Sequence, residues 1–458
     1  MVTAVVSDFS TKADDRLPAR ETLFVRLFGA ALVAHVVGNW GQPDLPSLVG
    51  WLNLGAGSAG AALLGWPRRK LLLVAAALTI GSLIAEIPVT GNHWLLAGLV
   101  SAAILTAKGD PARYLPAGRW ILLIFYGFAA FAKFNTGFFD SSVSCAVFYA
   151  NSSLAAWGLP GLPADGQRLV IWGTVLVEAS IPIMLAWRRV RHLGVMIASA
   201  FHILISYDLG LHFYDFTAVL LPLLFTFTAD KSVLAIEGIR VRSTALKSPG
   251  LLAVGIALLL VVLAGLPPTA LTARILQVLP FALWIPFSVL WLIALIAVTF
   301  LPQRVSLQLG FPAAAIAALT LLNGLTPYTE LKTAYGFNMY SNLVTARGVS
   351  NHMLIDRTYR LRYGYDDPVK IIQSSDPGLE LYADRGYLLA YPQLRRYMSS
   401  RPSVSVTYSR GNEVVSIDFA AQTPDFVDPG PWWWRFFPLR ALDQRDPPRC
   451  QNTFLPAL

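Results

Sequence analysis

The chain has 458 residues, 55% of them hydrophobic and only 14% charged. Soluble domains carry roughly a quarter charged residues, so the composition excludes an ordinary soluble enzyme and indicates an all-α polytopic membrane protein with soluble parts. The net charge of +9 falls in short clusters between apolar runs, with no basic stripe and interleaved aromatics. That argues for membrane topology and against nucleic acid as a partner.

The first residues, MVTAVVSDFSTKADDRLPAR, mix acidic and basic groups and do not read as a cleavable signal peptide. Residues 1–21 are therefore expected to be a cytoplasmic N-terminal segment, and the first apolar run to act as its own insertion signal. Hydropathy predicts about eleven transmembrane helices at the usual length of roughly 17–25 residues. They are expected at 22–40, 46–66, 71–88, 93–107, 119–134, 168–187, 193–208, 212–229, 249–266, 276–300 and 311–326.

The loops sort by charge. PRRK (Pro67 to Lys70), KGDPAR (Lys108 to Arg113), RRVRH (Arg188 to His192), the stretch from Asp230 to Lys247, and PQR (Pro302 to Arg304) fall on one side. GQPDLP, VTGN, SYDLGL and GLPPTALT alternate with them and are free of Lys and Arg. The positive-inside rule then puts the N-terminus in the cytoplasm and the C-terminal region outside the inner (plasma) membrane.

Lys133 stands out, at the far end of the apolar RWILLIFYGFAAFAKFNTGFFD. An ammonium in hydrocarbon is costly, which makes an intramembrane lysine a functional-site candidate. Desolvation also favours the neutral amine, a base or nucleophile. The competing reading is a lysine that snorkels to the headgroups. With the orientation above, His35, Asn39, Glu86, His93, Lys133, Asn135, His202, Asp208, His212 and Asp215 share the outer ends of their helices. They form either one outward-facing polar chamber or separate interfacial residues wetted by headgroups. Glu178, in IWGTVLVEASIPIM, lies deeper and is protonated, paired with a base, or part of the site.

Residues 135–167 are aromatic and small-residue rich, too polar for a span, and read as a re-entrant lid over the chamber or an amphipathic helix lying on the membrane. The core of 22–229 is followed by additional helices within 249–326 and by an extracytoplasmic α+β domain over 327–458. In that domain VSVTYSRGNEVVSIDFA predicts a β-hairpin. YPQLRRYMSS predicts a short helix with Pro392 in its first turn. PWWWRFFPLR is either an interfacial anchor or packing under the soluble domain. His352 is expected at the surface or facing substrate. The two cysteines, Cys145 and Cys450, lie on the oxidising side in this topology, as a disulfide clamping the tail over the lid or as two unrelated thiols.

FYGFAAFAKFNTGFF followed by SCA resembles the lysine motif of vitamin K-dependent γ-glutamyl carboxylases and their bacterial relatives, the HTTM-domain proteins. AFHILISYDLGLHFYDFTAVLLPLL resembles that family's Phe-His helix and following span. NGLTPYTELKTAYGFNMYSNL, with FPLR and a terminal cysteine, resembles the C-terminal extension of many bacterial relatives. The resemblance implies a carboxylase-like, lyase-type membrane enzyme. In such an enzyme the Lys133 amine deprotonates a quinol, reduced menaquinone or a relative. Oxygen then adds, and the resulting strong base removes a proton from a peptide glutamate before CO₂ attacks. It implies catalytic roles for Lys133 and His202; Tyr126, Asn135, His93, Glu178 and Asp215 are the candidate cofactor-binding residues. Ala132 stands where the animal enzyme has a second lysine, the soluble region is smaller, and no propeptide site is evident.

No HExxH, CxxC, Walker loop or GxSxG motif is present. His202 and His212, with Asp208 and Asp215, have no metal-ligand spacing, and no metal is expected. Besides the enzyme, two other classes remain. One is a non-enzymatic module that binds a lipid or secreted peptide for maturation or export. The other is a transporter, ranked last because no inverted repeat is visible.

Overall fold

The computed structural model describes residues 17–38, 47–88, 90–208, 213–228, 270–298, 305–362 and 364–451. The span expected at 249–266, the loop from Asp230 to Lys247, the PQR loop, Asn39, His212 and residues 1–16 lie outside these.

The described membrane part begins with α1 (Ala19–Gly38), α2 (Leu48–Gly65), α3 (Arg69–Glu86), α4 (Asn92–Thr106) and α5 (Pro111–Phe131). Two short helices follow, α6 (Thr136–Phe139) and α7 (Cys145–Ala156). Then come α8 (Ala164–Ala186), α9 (Arg191–Ile205), α10 (Tyr214–Phe225), α11 (Ala270–Val298) and α12 (Phe311–Leu325). Among the described residues, five helices are long and apolar enough to cross a membrane: α1, α2, α5, α8 and α11. Helices α4, α9, α10 and α12 are apolar but shorter. Helix α3 has eighteen residues and carries Arg69, Lys70 and Glu86.

Local chemistry explains the helix starts. The Ser47 side chain accepts a hydrogen bond from the Gly50 amide and opens α2. Asp110 does the same for the Ala112 amide, with Pro111 in the first turn, where a missing N–H costs nothing. Helix α5 therefore begins well before the apolar run expected at 119. Arg119 is buried within it because its guanidinium donates to the carbonyl oxygens of Thr226 (2.9 Å) and Ser306 (2.6 Å). Arg20 donates to Thr226 and Thr228 at the same end of the bundle, and Arg191 to Leu185 and Ala186. These arginines satisfy carbonyls that helix ends leave open.

Helices α1 and α2 approach closely through glycine. A Cβ placed on Gly29 would lie 2.5 Å from the Gly60 carbonyl oxygen, and one on Gly60 2.6 Å from that of Gly29. Small residues at such a crossing let two backbones meet, as membrane helices favour.

The C-terminal region sits on the opposite end of the bundle. After α12 a loop carries the short pair β1 (Thr345–Ala346) and β2 (Val349–Ser350). Then come β3 (Pro368–Ser374), α13 (Pro377–Arg385), β4 (Leu388–Ala390), α14 (Tyr391–Ser399), β5 (Val406–Arg410) and β6 (Glu413–Ile417). The last four strands form an antiparallel sheet in the order β4-β3-β5-β6. The expected hairpin is β5–β6, and the expected short helix is α14 with Pro392 in its first turn. Val369, Ile371, Leu379, Leu394, Met398 and Val406 fill this domain's own core.

Cys145 and Cys450 form a disulfide with a Cα–Cα separation of 4.8 Å. It ties the start of α7 to the chain's tail, and the Cys145 amide also donates to Asn342 Oδ1 (2.8 Å). Helix α7 is fastened to the end of α9 as well. Ser153 Oγ donates to Asp208 Oδ2 (2.6 Å) and Trp157 Nε1 to the Tyr207 carbonyl (3.1 Å). The rings of Tyr149, Phe213 and Tyr340 pack with centroids 4.6–5.6 Å apart, joining α7, the start of α10 and the C-terminal loop. The 135–167 segment is thus two short helices held down at several points. In the PWWWRFFPLR stretch, Arg435 donates to the carbonyls of Ile84, Ala85 and Ile87 and so caps α3. Trp432 and Trp433 stay exposed. The stretch therefore docks on the helix end while presenting two indoles outward.

Candidate functional site

Lys133 lies just past α5, where its amide donates to the Ala130 carbonyl in a closing turn. Side chains on helices lean toward the N-terminus, and this one turns back along α5. Its Nζ donates to the Ala129 carbonyl (3.2 Å) and lies 2.6 Å from Glu178 Oε2. That contact is an ion pair by distance but lies off the line of a hydrogen bond, so Oε2 has no directed donor. The lysine is 3% exposed, and the Phe138 ring lies 5.9 Å from the ammonium. Lys133 faces the bundle interior and does not reach outward.

Two further side chains border this pair. Tyr126 lies on α5, seven residues before Lys133, and is within electrostatic reach of Glu178. Its hydroxyl is buried with no hydrogen-bond partner among the described residues. His202 comes from α9, with its ring 5.7 Å from that of Tyr126 and within electrostatic reach of Lys133. Both its ring nitrogens are buried without a partner among the described residues. A neutral imidazole offers one donor and one acceptor, and leaving buried polar groups unpaired costs about 1–3 kcal/mol each. Tyr126, His202, Lys133 and Glu178 thus form one buried polar group with unsatisfied hydrogen-bonding atoms.

A second cluster lies across the Phe216 ring, whose centroid is 5.3 Å from His202 and 6.3 Å from His93. Here His35 from α1, His93 from α4 and Asp215 from α10 meet. His35 Nδ1 is 3.3 Å from His93 Nε2, which is 3.1 Å from Asp215 Oδ2. His35 Nε2 faces Glu86 Oε1 at 3.3 Å. Glu86 in turn accepts from Asn53 Nδ2 (2.7 Å) and Ser82 Oγ (3.2 Å), and Ser82 also bonds Asn53. Trp94 stacks on the His35 ring at 3.5 Å and donates to Ser82 Oγ at 3.0 Å.

The described polar residues expected at one depth therefore form two neighbouring groups, and two of them, Asn135 and Asp208, serve elsewhere, as does His352 of the C-terminal domain. Asn135 caps α6 by accepting from the Phe138 amide, and its Nδ2 donates to the Ala132 and Ser341 carbonyls. Its amide is committed to backbone groups. Asp208 holds Ser153 on α7. His352 is buried, with Nε2 2.9 Å from the Phe131 carbonyl and Nδ1 accepting from the Leu354 and Ile355 amides. It ties the C-terminal loop to the end of α5. His202 and Asp215 fall in different groups, so they do not share a ligand set. Asn53, Ser82 and Trp94 are participants that the sequence reading did not single out. A lone asparagine inside the small-residue run of α2 is the signal that was there to find.

No protein-family model, curated protein or solved structure matches the chain.

Proposed function

We propose that this chain is a carboxylase-like integral membrane enzyme in which Lys133 acts as general base on a quinol-type compound bound between α5, α8 and α9. The observation that carries the reading is the set of buried, unpartnered polar atoms on Tyr126 and His202 beside the Lys133–Glu178 pair. They supply donors and acceptors that a small oxygen-bearing lipophile would satisfy. Glu178 supplies what a lysine base needs. A proton passed from Nζ to Oε2 yields the neutral amine that general-base chemistry uses. Tyr126 and His202 hold and orient the ligand oxygen, and Phe138 with the fastened α6–α7 segment keeps water away. When bound, a quinol supplies an acidic hydroxyl and two electrons; O₂ and CO₂ are the co-substrates of a carboxylase-like reaction. A secreted peptide glutamate is the corresponding acceptor.

The proposal includes about eleven spans, a cytoplasmic N-terminus and an extracytoplasmic C-terminal domain in the inner membrane. Two observations support the orientation. The buried Arg119 and Arg191 and the half-buried Arg20 gather at one end of the bundle, and the disulfide lies at the other, as expected for an oxidising outer side.

The test uses purified protein with reduced menaquinone under O₂ and labelled CO₂, reading quinol consumption, retained quinone and label in a glutamate-containing peptide. Lys133→Ala and Lys133→Arg are expected to lose turnover; Lys133→Arg keeps the charge beside Glu178 and folds normally, and Lys133→Ala, less stable, is assayed well below its unfolding midpoint. Unchanged turnover in Lys133→Ala would sink the reading. Retained quinone binding in Lys133→Arg, without turnover in any form of the protein, would favour the lipid- or peptide-binding module.

A further inference from the structure

We infer that His35, His93 and Asp215 form a binding site for a divalent first-row transition ion, with Glu86 as the carboxylate that orients His35.

His35 Nδ1, His93 Nε2 and an Asp215 carboxylate oxygen all lie within 4.8 Å of one another. The two shorter separations are 3.3 Å and 3.1 Å. Ligand atoms bonded to zinc at about 2.0–2.1 Å in a tetrahedron stand roughly 3.3–3.4 Å apart. Two of the three separations match tetrahedral edges, and the third, within 4.8 Å, needs a small side-chain closure for one ion to bond all three. Two imidazoles and one carboxylate suit zinc, iron(II) or cobalt(II) and are a poor set for calcium or magnesium.

The surroundings are those of a built site. A metal-bound histidine almost always donates its other ring N–H to a carboxylate or carbonyl, which fixes its tautomer. His35 has that arrangement: Nε2 faces Glu86 Oε1, leaving the Nδ1 lone pair toward His93. Glu86 is itself held by Asn53 and Ser82. Trp94 stacks flat on His35, at an interplanar angle of 7°, and locks the ring's plane. His93 is placed by a neighbour's smallness, since a Cβ on Gly91 would lie 2.6 Å from the His93 ring. The residues come from α1, α3, α4 and α10, so no sequence spacing announces them.

Without an ion, His93 Nε2 must meet an imidazole nitrogen and a carboxylate oxygen at once, and one proton cannot lie on both lines. A cation bonded to all three resolves that crowding. The inference uses none of Lys133, Glu178, Tyr126 or His202, so its failure and that of the quinol reading are separate.

The test is a titration of the chelator-treated full chain in detergent with cobalt(II), followed by visible absorption, with zinc(II) competition and elemental analysis of the dialysed protein. We expect one ion per chain and ligand-field bands that zinc abolishes. His35→Ala and His93→Gln lose the ion, Asp215→Asn weakens binding at least about tenfold, and Glu86→Gln weakens it roughly 10–100-fold. Lys133→Arg, which keeps the charge beside Glu178, keeps full stoichiometry and serves as the folded control. If wild-type protein holds far less than one equivalent, the inference is overturned and the cluster is a hydrogen-bonded relay. It is equally overturned if His93→Gln, with an unchanged thermal midpoint, binds as wild type does.

Discussion

Glu178 sets its carboxylate 2.6 Å from the ammonium of Lys133, joining the middle of α8 to the end of α5 inside the bundle. Both side chains are buried, so neither charge has water to fall back on. Glu178→Gln leaves the lysine charge uncompensated and is expected to cost about 3–5 kcal/mol, whereas Lys133→Met/Glu178→Leu recovers most of that loss. Thermal unfolding of the three proteins in one detergent checks this. A single variant as stable as wild type would show that the pair is already neutral.

The α1–α2 crossing depends on two missing side chains. Gly60→Ala puts a Cβ 2.6 Å from the Gly29 carbonyl oxygen and 2.8 Å from Leu32 Cβ, so backbone must move. The expected cost is about 1–3 kcal/mol, read as a lower unfolding midpoint. Gly127→Ala, with nothing within 4 Å of the added carbon, is the matched control and should not lower it.

His352 links stability to pH. Burial holds its pKa below the usual histidine value, partly offset by the hydrogen bond to the Phe131 carbonyl. The folded protein keeps it neutral, while the unfolded chain takes up a proton below about pH 6.5. Its contribution is therefore present above that pH and is lost as pH falls toward the lowered folded value. Between pH 7.5 and 5.5 the wild-type midpoint is expected to fall further than that of His352→Phe. Parallel curves would remove the effect.

Lys332 has the opposite charge history. Burial pulls its pKa to about 8, and its ammonium donates to Asn323 Oδ1. At pH 7 the folded state carries a desolvated charge that the unfolded chain solvates freely. Stability from this group should rise between about pH 8 and the ordinary lysine value of 10.5. Lys332→Met is expected to raise the midpoint at pH 7 and flatten the rise at alkaline pH; a lower midpoint at pH 7 would contradict this.

Cys145→Ser should shift mobility on a non-reducing gel as reductant does for wild type, and lower the unfolding midpoint. A loop this long sets an entropic ceiling on the order of 5 kcal/mol, which membrane confinement of the unfolded chain reduces. Identical mobility of wild type with and without reductant would deny the bond in the purified protein.

Much of this arrangement could be read from residue type. Lys133, Glu178 and His202 are conspicuous because charge inside apolar runs is costly, and that cost is visible without coordinates. Their grouping was not visible. Glu178 and Lys133 sit on helices separated by the α6–α7 segment, and pairing across such a gap depends on packing. Asn135 and His352 look like site residues because their types suit ligands, yet each is committed to backbone groups that a sequence does not display. The five full-length spans follow from composition, α4, α9 and α12 lie within about three residues of their apolar runs, and α10, Tyr214–Phe225, is clearly shorter than the run at 212–229. Helix α5 runs the other way, since Asp110 and Pro111 start it before hydropathy rises.

The bond between Cys145 and Cys450 closes a circuit spanning a sequence separation of 305 residues. Glu178, His202 and Asp215 ride on that closed circuit, while Lys133, His35 and His93 belong to the linear arm that precedes it. Each polar group is thus a seam between the arm and the ring. A single peptide cut anywhere in the circuit, including the exposed C-terminal domain, leaves both fragments covalently attached and both seams held. Reduction alone also leaves the chain whole. Only a cut combined with reduction lets the ring's residues leave the arm's.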